Sequence, residues 1–189
     1  MAKRAFIGLG SNLGDRLANL QRAVEMLMPA SFPRRLSSVY ESEPWGFASE
    51  HLFLNAVAEV ETDKPPRELL TELHKVEYFL GRDRGHVRTE ENYHDRVIDL
   101  DLLWYEDFEF KSGSFEVPHP YACIRAFVLI PWAELDDTIR LRDVQITHWL
   151  ESLPPDELKH TWLRKELKLN MPVLDDLLGG LKNPLTNPS

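Results

Sequence analysis

Apolar residues in this chain recur with two different periods, and the order in which those periods alternate restricts the fold more than any other feature. Ala5 to Leu9 reads as a strand running into the Gly-rich turn Gly10-Ser-Asn-Leu-Gly14. From Asp15 to Met28, Leu17, Leu20, Val24 and Leu27 fall at helical spacing with Ala23 beside them; Asp15 suits the N-cap and Pro29 stops the helix. Strands over Arg35 to Glu43 and Phe53 to Thr62 follow, separated by a loop holding Pro44, Trp45 and Gly46. In the second of them Leu54, Ala56, Ala58 and Val60 alternate with Asn55, Val57, Glu59 and Glu61. Pro65 and Pro66 open a second helix striped by Leu69, Leu70, Leu73, Val76 and Leu80, and Gly81 closes it. The polar stretch Arg82 to Arg96 has no period and reads as loop. Val97 to Tyr105 is the most strand-like segment of all, paired with a short one at Phe108 to Lys111.

That order, βαββαβ, predicts an α+β, ferredoxin-like sandwich: a mainly antiparallel sheet with two helices packed on one face. Val117 to Pro120 reads as a rigid loop, Ile124 to Trp132 as a buried turn or short helix, and Ile146 to Leu153 and Asp156 to Leu167 as helices. A body over 1–153 and a helical extension with a loosely held tail over 154–189 are expected. With 43% hydrophobic residues the chain can build a sizeable core. No apolar run approaches roughly 18 residues and the N-terminus does not resemble a signal peptide, so no membrane partner is expected. Lys and Arg number 22 against 31 Asp and Glu, a formal charge of −9, which disfavours nucleic acid as a partner. A small polyphosphate is still compatible if arginines cluster locally. Cys123, the one cysteine, fits a reducing cytoplasm.

The sharpest chemical feature is Asp99-Leu-Asp101 within the last strand. Side chains alternate along a strand, so both carboxylates project from one face, about 7 Å apart, while Ile98, Leu100, Leu102 and Trp104 fill the other. Flanked by apolar residues, two like charges repel and resist desolvation. A divalent cation removes the conflict, and Mg²⁺ is commonly held by one or two carboxylates plus substrate phosphates. The bland alternative is a solvated edge face. Upstream, Arg82, Arg84, Arg88 and Arg96 crowd a loop that feeds into this strand. Guanidinium groups suit bidentate phosphate contacts, although Asp83, Glu90, Glu91 and Asp95 offer them internal partners. In Val117-Pro-His119-Pro120 the prolines could aim an imidazole, with Arg125 and Phe127 following. Gly10-Ser-Asn-Leu-Gly14 lacks the Lys-Ser/Thr of a P-loop and is expected to be a tight turn.

Together these pieces resemble the hydroxymethyldihydropterin pyrophosphokinases of folate biosynthesis. The matching segments are Gly8-Leu-Gly-Ser-Asn-Leu-Gly-Asp15, Tyr40-Glu-Ser-Glu-Pro-Trp-Gly46, Phe53-Leu-Asn-Ala56, Glu77 through Gly81-Arg-Asp-Arg84, Arg96-Val-Ile-Asp-Leu-Asp-Leu-Leu103, Pro118-His-Pro120 and Arg125-Ala-Phe-Val-Leu129. The resemblance implies a ferredoxin-like catalytic body and transfer of diphosphate from ATP to the hydroxymethyl group of a reduced pterin, releasing AMP. It implies that Asp99 and Asp101 hold two Mg²⁺ ions, and that Arg82, Arg84 and Arg96 join them in catalysis. Ser42, Pro44, Trp45, Gly46, Phe53, Asn55 and Phe127 would form the pterin pocket, the two phenylalanines sandwiching the ring. ATP would meet His74, Glu77, Arg82, Arg84, Arg96, Ile98, His119 and Arg125. The partners implied are small molecules, with the chain a monomer or weak homodimer.

Three departures from the family pattern stand out: the Thr89-Glu-Glu-Asn-Tyr-His-Asp95 approach to Arg96, His74 near the adenine position, and the bulk of Trp45. Two other classes stay open, a non-catalytic ferredoxin-like ligand-binding module and a metal-dependent phosphohydrolase built on the same carboxylates.

Overall fold

The structure, a computed structural model, describes residues 1–28, 30–81, 94–113 and 115–172. Strand β1 (Lys3–Ser11) sends Ala5, Ile7 and Leu9 to one face and Phe6 to the other. It extends past the predicted end at Leu9, so Gly10 and Ser11 are strand residues and not part of the turn. The turn falls at Gly14, whose φ of +66° a side chain would resist. Helix α1 (Arg16–Met26) is capped as expected, the Asp15 carboxylate accepting the Ala18 N–H at 3.1 Å.

The strand predicted over Arg35 to Glu43 is two strands, β2 (Phe32–Leu36) and β3 (Tyr40–Ser42). Both run antiparallel to β4 (Phe53–Thr62). Ser37 causes the break: its hydroxyl accepts the Val57 N–H at 2.8 Å and its own N–H reaches the Val57 carbonyl, so one residue occupies both partners of that rung. Helix α2 (Pro66–Phe79) follows, with Gly81 ending it at φ +95°. Strand β5 (Asp99–Tyr105) pairs antiparallel with β1.

Leu20, Ala23 and Val24 of α1, with Leu69, Leu73 and Val76 of α2, bury against Ile7, Leu9, Ala58, Leu100 and Leu102 in a first core. Trp104 departs from the expected alternation. Phe6 pairs with Trp104 but Ile7 pairs with Leu102, so Leu103 is an extra residue in β5 and both Leu103 and Trp104 turn to the opposite face.

That opposite face carries a third layer. The hairpin β6 (Phe110–Ser112) and β7 (Phe115–Val117) leads through a cis Val117–Pro118 bond and a 3₁₀ turn, Ala122–Ile124, to α3 (Ala126–Leu135). A small ladder, β8 (Arg140–Leu141) with β9 (Val144–Gln145), precedes α4 (Ile146–Ser152). Trp132, Leu129 and Ile146 pack on Phe6, Val57 and Leu103 as a second core. The segment expected as a buried turn or short helix is thus a ten-residue helix closing the sheet's other side.

The helix expected over Asp156 to Leu167 is also corrected. Only α5 (Pro155–Lys159) is helical, and β10 (Thr161–Leu163) then pairs antiparallel with β3. A bare β3 would expose a row of unpaired amide and carbonyl groups, and Thr161 and Trp162 suit a strand that covers it. The sheet order is β10-β3-β4-β1-β5, with β2 also along β4. Among the described residues no helix is long and apolar enough to cross a membrane.

Candidate active site

The centre of the sheet has a bare strip where β1 shows two glycines to the third-layer side. Gly10 stands between Asn55 on β4 and Asp99 on β5, and Gly8 between Val57 and Asp101. A Cβ on Gly10 would sit 3.4 Å from Asn55 Oδ1, 3.7 Å from Phe53 Cδ1 and 3.9 Å from the Asp99 Cβ. One on Gly8 would sit 3.3 Å from Leu103 Cδ2. Any larger residue would fill the floor. Over this floor lies an open cleft of about 580 Å³ bounded by Ser42, Trp45, Phe53, Asn55, Asp99, Asp101, Arg96, Arg125 and Phe127.

The β5 end of the cleft is charged. Asp99 and Asp101 share a face as the alternation requires, with side-chain exposures of 18% and 17%. The Arg96 guanidinium lies 3.4 Å from Asp99 and over the Phe53 ring at 5.5 Å. His119 Nε2 lies 3.9 Å from Asp101. The imidazole is aimed from behind: His119 Nδ1 accepts the Tyr121 N–H at 3.3 Å and the His119 N–H donates to the Leu103 carbonyl at 2.9 Å. With Nδ1 accepting, the neutral ring carries its proton on Nε2, facing Asp101.

At the other end aromatic rings surround a buried amide and a guanidinium. Asn55 donates from Nδ2 to the Ser42 hydroxyl at 2.9 Å, both buried, which leaves Oδ1 turned toward Gly10. Phe53 of β4 and Phe127 of α3 both line it. Arg125, only 5% exposed, stacks its guanidinium over Trp45 at 4.4 Å, Tyr121 at 5.0 Å and Phe127 at 5.7 Å. The bulk of Trp45 is therefore absorbed by a cation–π stack at the rim. Gly46 adopts φ +80° beside it, while Pro44 is not among the lining residues.

Sequence reasoning missed several contributors. Glu43 and Phe47 line the cleft. Asn12 grips the Arg96 backbone in both directions, its Oδ1 accepting the Arg96 N–H at 2.7 Å and its own N–H donating to the Arg96 carbonyl at 3.1 Å. Its Nδ2 donates to Asp95 at 2.6 Å. A hydrogen bond from Ser49 is the leading cause that holds the Asp95 carboxyl below its usual range, with Asn12 adding to it. Asp95 thus braces the loop's end through Asn12, and Thr89 to Tyr93 of that approach lie outside the described residues. An Asn one residue past the strand could have been read as a loop tie.

Other expected residues are not brought to the cleft. Ile98 fills the first core, and Glu77, fully buried on α2, accepts the Leu100 N–H at 2.8 Å. Its carboxylate works as a brace between helix and strand. His74 sits half-buried on the same helix and does not line the cleft. Arg82, Arg84 and Arg88 lie outside the described residues.

As a donor set the cleft fits Mg²⁺ bound with a substrate: two hard carboxylates on one face, rather than an all-protein cage. Among the described residues no group of three or more His, Cys, Asp or Glu could hold a metal unaided.

A family model described as 7,8-dihydro-6-hydroxymethylpterin-pyrophosphokinase (HPPK) matches residues 6–137. The 2-amino-4-hydroxy-6-hydroxymethyldihydropteridine pyrophosphokinase of Porphyromonas gingivalis is 40% identical over 135 residues, 69% of this chain and 88% of its own. That of Methylorubrum extorquens is 35% identical over 158 residues, 82% of this chain and 97% of its own. A solved HPPK-DHPS in complex with substrates has a TM-score of 0.65 at 11% identity, over 80% of this chain and 43% of that one. This chain therefore spans less than half of that longer protein, and the likeness concerns the fold alone. Sequence and fold agree: the chain belongs to the 7,8-dihydro-6-hydroxymethylpterin-pyrophosphokinase family.

Proposed function

We propose that this protein transfers diphosphate from ATP to the hydroxymethyl group of 6-hydroxymethyl-7,8-dihydropterin, releasing AMP and supplying folate biosynthesis. Its scaffold is read as ferredoxin-like from the order β5-β1-β4-β3. One observation carries the reading: the glycine floor joins an aromatic-lined pocket to a pair of carboxylates, so an aromatic alcohol and a polyphosphate fit end to end. In this reading the pterin lies between Phe53 and Phe127, its edge met by Asn55 and Ser42. Offset stacking on each ring adds about 0.5–1.5 kcal/mol beyond area burial.

No covalent protein intermediate is needed. The substrate hydroxyl attacks the β-phosphorus in line with the departing AMP oxygen, and the chain's work is positioning and charge stabilisation. Asp99 and Asp101 would hold two Mg²⁺ ions, which supply Lewis-acid stabilisation at both ends of the displacement. Arg96, braced by Asn12, would point its guanidinium at phosphate oxygens, with Arg82 and Arg84 joining from the adjoining segment. His119 and Arg125 are assigned to the nucleotide's side of the cleft, and His74, Glu77 and Ile98 to its adenine only by the resemblance. The chain is read as a monomer or weak homodimer, and its single cysteine, the buried Cys123, suits a reducing cytoplasm.

The test is an assay with ATP, Mg²⁺ and the reduced hydroxymethylpterin. AMP and a diphosphorylated pterin in equal amounts are expected. Free phosphate in place of AMP would mean a hydrolase, and binding without turnover a ligand module.

A further inference from the structure

The side of β3 that faces away from the pterin wall carries a buried charge the reaction does not use. Glu41 is 6% exposed and points opposite to Ser42, toward α1. Its Oε1 accepts from Arg16 Nη1 at 2.8 Å, and its Oε2 accepts from Trp162 Nε1 at 3.3 Å and from the Arg164 guanidinium. The same Arg16 nitrogen donates to the Leu52 carbonyl at 2.8 Å, one residue before Phe53. One carboxylate therefore ties the entry of the pterin loop at Ser42 to its exit at Phe53, and both to the C-terminal segment.

That segment reaches the opposite wall as well. The His160 carbonyl accepts the Glu43 N–H at 3.1 Å, and Glu157 Oε1 takes the Ala126 N–H at 3.4 Å, between Arg125 and Phe127. From Pro155 to Arg164 the chain thus acts as a strap buckled to both sides of the cleft.

We infer that Glu41 is a positioning residue for the pterin half of the site, with Arg16 and the 155–164 strap as its anchors. The inference rests on the pterin reading of Ser42, Phe53 and Phe127. Glu41 touches no substrate; it acts by fixing where Ser42, Asn55 and Phe53 stand. Burial pushes its carboxyl up, but hydrogen bonds from Arg16 and Arg164 outweigh burial and hold it below the ordinary range, so the anchor is ionised at neutral pH. A neutral isostere keeps the shape and loses two charge-assisted bonds.

The experiment compares Glu41→Gln, Arg164→Gln and Phe127→Ala by steady-state kinetics, each checked by circular dichroism. Glu41→Gln should raise the pterin KM roughly tenfold, the scale of one charge-assisted hydrogen bond, with kcat and the ATP KM within about twofold. Arg164→Gln should move the same constant in the same direction by less. Should Glu41→Gln fail to fold, Arg164→Gln carries the test, since its side chain is 30% exposed at the sheet edge. An unchanged pterin KM in a folded variant, or equal rises in both constants, overturns the inference. Phe127→Ala separates the two levels. If it raises the pterin KM while Glu41→Gln does not, only the positioning role falls. If it leaves the pterin KM unchanged, the pterin reading fails and takes this inference with it.

Discussion

At the residue scale the site is built by subtraction as much as by addition. Gly8 and Gly10 provide room, and the carboxylates that border them provide charge. Asp99→Asn and Asp101→Asn should each abolish turnover while leaving circular dichroism and Tm close to wild type. Each change removes a proposed metal ligand and relieves like-charge repulsion in a partly solvated cleft. A variant that unfolds would mean the carboxylates are structural. Arg96→Ala should raise the barrier by about 3 kcal/mol, the scale seen when one charge-stabilising donor is lost, a fall in kcat on the order of a hundredfold. Gly10→Ala is a different probe. Its φ is not in the left-handed region, so the methyl meets the Asn55 amide, the Phe53 ring and the Asp99 Cβ at ordinary contact distances, and the pterin KM should rise with the fold intact. Titration calorimetry with pterin alone would check it; undiminished affinity would place the pterin elsewhere.

Single elements explain which parts were legible beforehand. β4 and α2 sit where their periods put them, because each has one face in a core and the other facing a second layer or solvent. β10 was misread because the spacing of Leu158, Trp162 and Leu163 resembles a helical stripe, whereas its position is decided by the unpaired edge of β3. The clasp that joins this edge to the cleft is pH-sensitive. His160 Nδ1 lies 2.9 Å from Glu43 Oε2, its Nε2 lies 3.6 Å from Asp156, and bonding to Glu43 leads the causes that raise its pKa above 6.5. A raised folded value contributes stability that is complete below the ordinary value and disappears as pH climbs through the raised one. Amide exchange across Thr161–Leu163 should therefore quicken, as pH climbs from the ordinary histidine value through the raised one, by more than base catalysis alone accounts for. His160→Gln should remove the excess. An identical profile in both proteins would mean that the clasp contributes nothing.

On the scale of the molecule, the sheet is a partition between two cores, and the cleft opens where the third layer stops short of it. α1 and α2 fill one side, α3 and α4 the other, and Trp132 is the largest fully buried residue. Trp132→Ala should destabilise by about 3–5 kcal/mol, since a ring-sized cavity between α3 and Phe6 cannot collapse without moving the sheet. In calorimetry that is a fall in Tm of roughly 10 °C for a chain of this size. Because Phe127 rides on the same helix and Arg125 caps it, the pterin KM should rise with it. A lower Tm with unchanged kinetics would mean that the cleft wall is held independently of the second core.

Alternating and helical periods are local properties of a chain. They were enough to set the order of the first strands and helices and the shared face of Asp99 and Asp101, while short motifs carried the cap at Asp15 and the resemblance to the family. Which strand lies beside which, and what covers each edge, depends on groups far apart in sequence. Only the folded sheet put Gly10 between Asn55 and Asp99 and Gly8 between Val57 and Asp101, moved Trp104 across by one bulged residue, and set Asn12 against Arg96. It also sent Glu77 inward to Leu100 and brought Arg164 to Glu41. Hydrogen-bond partners for buried backbone and charge are chosen by proximity in space, and a linear pattern carries no record of that choice.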